Sequence, residues 1–284
     1  MMSRYALWVL LAPGVGFLIL LFGLPLGMAL LTSIGLGTVG VNTGFTLDHY
    51  AELFSNSIYL DGLRYSLFLS VVPTLVSLTI AMPLAVALQS TFPGKKLFST
   101  LYRVPLVVPG IVAAFIVMIL FDRGGEISRI LKPLGLGLPK MVRDEWSLGI
   151  IIAGAWKAVP FMMLIIGGSL ASISTDLPAA ARTLGANRAT VFWRIELPLA
   201  LPGITAAVLM VFVGATGAFA VPSLLGPIYP KPLSVWMYEA AYQENNWGLA
   251  SAMGIVLSVI ACAVLKIYYR VTSDLRNAAG GEVR

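Results

Sequence analysis

The chain has 284 residues, of which 58% are hydrophobic and only 11% charged, with a mean hydropathy of +0.89. A soluble domain carries roughly 25% charged residues, so this composition excludes an ordinary water-soluble globule and describes an integral membrane protein. Cys262 is the single cysteine and His49 the single histidine, which excludes an internal disulfide and a His-rich metal site.

Six apolar runs are long enough to cross a bilayer, which takes about 20 residues. They lie at about 5–31, 65–88, 101–121, 147–171, 201–222 and 248–269. In lipid the backbone must satisfy its own polar groups, so six helices in one transmembrane domain, residues 1–284, is the expected all-α fold. The first run follows Arg4 but is longer than a leader's apolar core and has no A-x-A site, so it is read as a retained span. Pro13, Pro25, Pro73, Pro83, Pro105, Pro109 and Pro160 fall within spans and predict kinks or breaks. Proline is also simply common in membrane helices.

Between the first two runs, 45–54 (FTLDHYAELF) places Leu47, Tyr50, Leu53 and Phe54 at helical spacing, which predicts a short amphipathic helix at the interface. In the fourth run, Lys157 is the one charge well inside a span, in the sequence GAWKAVPF. Charges at that depth are costly and face protein or water. Two readings stand for Lys157. It lines a solute path and biases it toward anionic or zwitterionic groups, with Trp156 and Phe161 beside it. Alternatively it snorkels outward or pairs with an acid on a neighbouring helix.

The stretch 176–203 (DLPAAARTLGANRATVFWRIELPLALPG) interrupts the apolar runs. Asp176 is placed as an N-cap, with Pro178 in the first turn and Ala179, Ala180 and Ala181 as strong helix formers. Gly185 suits a left-handed helix end, with Ala186 and Asn187 as the turn. Residues 188–196 predict a second short helix with Val191, Phe192 and Ile195 on one face. Leu197-Pro198 and Leu201-Pro202-Gly203 are expected to break and re-aim the chain. The result is a rigid helical elbow that can be gripped from outside the membrane.

With the N-terminus in the cytoplasm, the inner segments hold eleven basic residues against four acids. These include Arg4, Lys95, Lys96, Arg103, Arg182, Arg188, Arg194, Lys266, Arg270, Arg276 and Arg284. The net charge of +6 is thus a topology signal rather than a nucleic-acid-binding one, and both termini and the 172–200 elbow face inward. The longer outer loops around 122–146 and 223–247 can seat an extracytoplasmic partner or act as plain connectors. The tail at 277–284 is expected to fray.

The elbow resembles the EAA motif of ABC importer permeases, which reads E-A-A, three residues, G, nine residues, I-x-L-P. Here Ala179-Ala180-Ala181, three residues, Gly185, nine residues and Ile195-Glu196-Leu197-Pro198 keep every spacing. The departure is Ala179, where the family has Glu. With 45–54 and RVPLVVPG at 103–110, the chain looks most like the branch importing polyamines, ferric ion, thiamine or phosphonates. The resemblance implies a type I permease fold of six transmembrane helices in a bacterial inner membrane, with the elbow as a cytoplasmic coupling helix. It implies Asp176, Ala179, Ala180, Arg182, Gly185, Ala186, Arg188, Ile195 and Pro198 as the ATPase-coupling residues. It also implies as partners an ABC ATPase dimer holding ATP and Mg, a second and different permease subunit, and an extracytoplasmic solute-binding protein. The missing Glu leaves coupling to shape, Arg182, Arg188 and backbone.

No GxxxxGK[ST] phosphate loop, GxSxG elbow or HExxH pair occurs in the chain, so no cofactor and no catalytic residue is expected on it. The competing class is an ion-gradient-driven secondary transporter. Such carriers place ionisable groups in their spans, and Lys157 alone qualifies, with no inverted repeat.

Overall fold

A computed structural model describes residues 4–37 and 44–280, with side chains described for 10–37 and 44–270. Arg284 and part of the tail expected to fray lie outside the described residues.

Helix α1 (Arg4–Leu18) passes through one wide turn at Ile19–Gly23 into α2 (Leu24–Ser33). A short α3 (Asp48–Ser55) precedes the long α4 (Ser57–Ala87). Then come α5 (Lys95–Leu101), α6 (Val104–Val107), α7 (Gly110–Phe121) and α8 (Glu126–Leu131). Helix α9 (Leu148–Ala171) leads to α10 (Asp176–Thr183) and α11 (Arg188–Val191). A second wide turn at Phe192–Glu196 runs into α12 (Leu197–Thr216), followed by α13 (Ala220–Leu225), α14 (Leu233–Tyr242) and α15 (Trp247–Gly280). Among the described residues five helical segments are long and apolar enough to cross a membrane, and a bent pair, counted as one span, brings the number to six.

The bent pair corrects the expected third span. Lys95–Val107 and Gly110–Leu134 meet at 106° instead of forming one rod over 101–121. Val108 and Pro109 both adopt extended backbone at the break. Proline biases its predecessor away from helical dihedrals and lacks the N–H that would continue the ladder, so Pro109 ends α6 and starts α7. Pro13, Pro73, Pro83 and Pro160 instead lie inside helices that run on through them.

Two further prolines are accommodated by wide turns. Leu24 N–H donates to Ile19 O directly before Pro25, and Leu197 N–H donates to Phe192 O directly before Pro198. An i to i−5 turn moves the carbonyl that a proline ring would strike. The expected break at Leu197-Pro198 is therefore absent. Arg188–Thr216 is one continuous helical segment, and the 188–196 helix is the first part of the fifth span. That span ends at Thr216 rather than at 222, because Gly217 and Ala218 turn the chain into α13. The second span starts earlier than expected, at Ser57, whereas the sixth, Trp247–Arg270, keeps its expected limits to within one residue inside the longer α15.

The chain packs as two units, residues 1–63 with 233–259 and residues 64–232 with 260–284. In the first, Leu53, Leu233, Leu249 and Met253 are fully buried, and Tyr59 meets Trp236 edge-to-face at 5.7 Å. Leu53 anchors α3 in this core, and Tyr50 Oη lies 2.7 Å from Ser33 Oγ. The amphipathic reading of 45–54 thus holds for Tyr50 and Leu53, whereas Leu47 and Phe54 stay exposed.

In the second unit α12 packs along α9, and α7 packs on α9 and α13. Ala81 and Ala85 of α4, Met162, Met163 and Ile166 of α9, and Ala200, Ile204 and Ala207 of α12 form one cluster. Small residues let the helices approach closely, which matters where lipid supplies no hydrophobic drive. On α4, Ser66, Ser70, Thr74 and Ser77 form a buried polar stripe. Ser70, Thr74 and Ser77 return their hydroxyls to carbonyls one turn back, at 2.6–2.7 Å, so the stripe costs no unpaired donor.

Candidate functional site

The elbow carries most of the expected residues. Asp176 is the first helical residue of α10 rather than its cap. Thr175 holds the cap position, Asp176 N–H faces Ser174 Oγ at 3.3 Å, and the Ser174 hydroxyl donates to Asp176 Oδ2 at 3.2 Å. Its carboxylate still lies on the first turn, where negative charge suits the helix dipole. The far end closes as a Schellman motif. Ala186 N–H donates to Ala181 O and Gly185 N–H to Arg182 O, both at 3.0 Å. Gly185 has φ +87° with open space around it, so it is there for backbone conformation, not packing. Asn187 then caps α11, accepting from Thr190 N–H at 2.8 Å. Helix, C-cap, N-cap and helix thus follow with no slack residue between them.

The outer surface of this elbow is open. Asp176, Ala179, Ala180, Arg182, Gly185, Arg188 and Pro198 are exposed, and Leu184 is 89% exposed. Ala186 and Ile195 are partly buried and Val191 is buried, with α11 packed against α10 and the wide turn that follows it. Arg182 and Arg188 line a cleft of about 680 Å³ with Gln89, Thr175, Phe192 and Glu196. Below it α9 and α12 nearly touch. Ser169 Oγ donates to Ala200 O at 3.2 Å, and a Cβ on Gly203 would fall 2.3 Å from Ser169 Cβ.

Lys157 does not follow the expected pairing with an acid on a neighbouring helix. It makes no ion pair among the described residues. Its ammonium donates to Val108 O, at the break between α6 and α7. The break frees that carbonyl from any helical partner, so a lysine reaching it from α9 satisfies a polar group that lipid cannot. Lys157 and Phe161 line a cleft of about 470 Å³ with Pro73, Leu106, Gly110, Gly154, Met210 and Gly214. Trp156 lies apart from them, in a separate apolar cleft of about 670 Å³ with Ile80, Leu101, Pro105 and Pro160. The three residues expected together are therefore divided between two cavities. The 100° turn per residue puts positions 156 and 157 on different sides of α9, which proximity in sequence conceals.

The sequence reading missed Val108 and Gly214. The only signal for Val108 was the paired Pro105 and Pro109, and Gly214 carried none.

A family profile described as "Binding-protein-dependent transport system inner membrane component" matches residues 51–275. The chain belongs to this family. The permease is 29% identical over 234 residues to the spermidine/putrescine transport system permease protein PotB of Haemophilus influenzae, covering 82% of this chain and 81% of that one. It is 30% identical over 214 residues to the probable molybdenum ABC transporter permease protein of Haloferax volcanii, covering 74% of each. Among solved structures it matches a bacterial ABC transporter involved in the import of the acidic polysaccharide alginate, with a TM-score of 0.81 at 20% identity. That match covers 95% of this chain and 96% of the other. The permease accordingly has the all-helical type I importer permease fold, is a multi-pass membrane protein, and has relatives that are transport permease subunits.

Proposed function

We propose that this permease forms half of the translocation path of an ATP-driven importer and is moved through the α10 elbow by a separate cytoplasmic ATPase. The observation that carries this is the elbow itself: internally capped at both joints, continuous through Arg188–Thr216 with the fifth span and open on its outer face. A unit of that kind moves as one body when its outer face is gripped, and α11 delivers the motion directly into the fifth span.

In this reading Asp176, Ala179, Ala180, Arg182, Gly185, Ala186, Arg188, Ile195 and Pro198 form or hold the coupling surface. ATP and Mg belong to the ATPase dimer. A second permease, different from this one and keeping the acid that Ala179 lacks, completes the path, and an extracytoplasmic binding protein delivers a small solute. The basic excess of the inner segments supports both termini and the elbow facing the cytoplasm of a bacterial inner membrane. The names of the relatives span a polycationic and a molybdenum cargo, so family membership leaves the solute open.

The test is purification of the tagged permease from its native membranes with mass spectrometry of what stays bound. An ATPase and a second permease in stoichiometric amounts are expected. A permease recovered alone, with uptake that survives ATP depletion but collapses with the ion gradient, would establish a secondary carrier instead.

A further inference from the structure

We infer that the solute passing this permease is anionic, or presents an anionic group, and that Lys157 is the residue on this chain that selects it. The inference rests on the importer reading and goes beyond it by naming the substrate class.

A cation in the middle of a membrane span is retained only where something compensates it. Here the compensation within the chain is one backbone carbonyl, that of Val108. An ammonium has three donors, and among the described residues Lys157 has no further partner and no carboxylate. The described residues lining its cleft are otherwise uncharged. The cleft is open, and Gly214 on its α12 wall has nothing within 4 Å of where a Cβ would be, so a side chain can be placed there without a clash. A low-dielectric cleft carrying one sign of charge focuses the field on whatever enters it. An anion gains the two unused donors and an unopposed charge. A polycation meets repulsion with no acid on this wall to offset it.

The position adds a mechanical element. Lys157 holds the carbonyl at the joint of the bent third span, so an anion that draws the ammonium away releases the same carbonyl. Solute binding and the α6–α7 joint therefore share one side chain.

The experiment uses the complete transporter reconstituted in proteoliposomes, with Cys262→Ser as background because Cys262 is the sole cysteine and is exposed. Gly214→Cys places a thiol in the cleft. Its rates of modification by anionic sulfonatoethyl and cationic trimethylammonioethyl methanethiosulfonate are compared, each normalised to a free thiol. The anionic reagent is expected to be favoured roughly tenfold. Lys157→Met should abolish the preference and Lys157→Arg keep it. A ratio unchanged by Lys157→Met, a preference for the cationic reagent, or no reaction with either reagent would overturn the inference, the last by showing a cleft closed to water. Whether an ATPase co-purifies with the Cys262→Ser parent is read separately, so failure of the importer reading is not confused with failure of the anionic assignment.

Discussion

Gly185 isolates one physical effect. No atom would meet its Cβ, yet its φ of +87° is a conformation that side chains resist. A left-handed residue other than glycine costs roughly 1–2 kcal/mol, and a β-branched one is a genuine outlier. Gly185→Val should therefore loosen the Schellman closure between α10 and α11 without creating a clash. ATP-dependent uptake is expected to fall several-fold while the amount of assembled complex stays near normal. Gly185→Asn, which tolerates the left-handed region, should keep most of the activity. Equal uptake in all three proteins would show that the elbow does not need this turn. The glycine was legible in the sequence because its place after a run of helix formers allows few other roles. Lys157 was legible only as an anomaly. Its partner is a backbone carbonyl 49 residues away, exposed by a break in another span, and no local pattern encodes that pairing.

At the scale of the element, the contact between α9 and α12 governs how the elbow's motion enters the bundle. Gly203 lies against Ser169 so closely that an added Cβ would sit 2.3 Å from Ser169 Cβ and 2.4 Å from Oγ. Overpacking of this kind costs about 1–3 kcal/mol. Gly203→Ala should lower the midpoint of thermal aggregation of the detergent-purified permease by several degrees. Pairing it with Ser169→Gly should recover most of the loss, since the colliding atoms are then gone. A Gly203→Ala protein as stable as the parent would mean that the two helices are free to separate. The sequence announced Gly203 as part of a Pro-Gly break, and the helix instead continues through it. Proline punctuation misleads here because a wide turn at Phe192–Glu196 absorbs Pro198 before it can end the helix. Composition does not distinguish that solution from a kink, whereas at Pro109 two consecutive extended residues give a true 106° bend.

For the whole molecule, hydropathy located the spans because lipid demands a run of apolar residues whatever they pack against, whereas charge asymmetry supplies only an expectation of which side is which. The second inference is the one on which coupling depends: an elbow facing away from the cytoplasm has no ATPase to grip it. Leu184, 89% exposed at the elbow, and Leu134, 68% exposed at the far end of the bent third segment, are placed on opposite sides of the membrane by the positive-inside rule. In the Cys262→Ser background, Leu184→Cys should react with a membrane-impermeant maleimide in inside-out vesicles and remain unmodified in intact spheroplasts. Leu134→Cys should do the reverse. Adding the ATPase subunit to stripped inside-out vesicles should then protect position 184 and leave a cysteine at Lys266 reactive, since only the elbow is covered. Labelling of Leu184→Cys from the outer side would invert the topology and remove the physical basis for coupling through α10. Labelling from the inner side without protection would keep the topology and place the ATPase elsewhere on the cytoplasmic face.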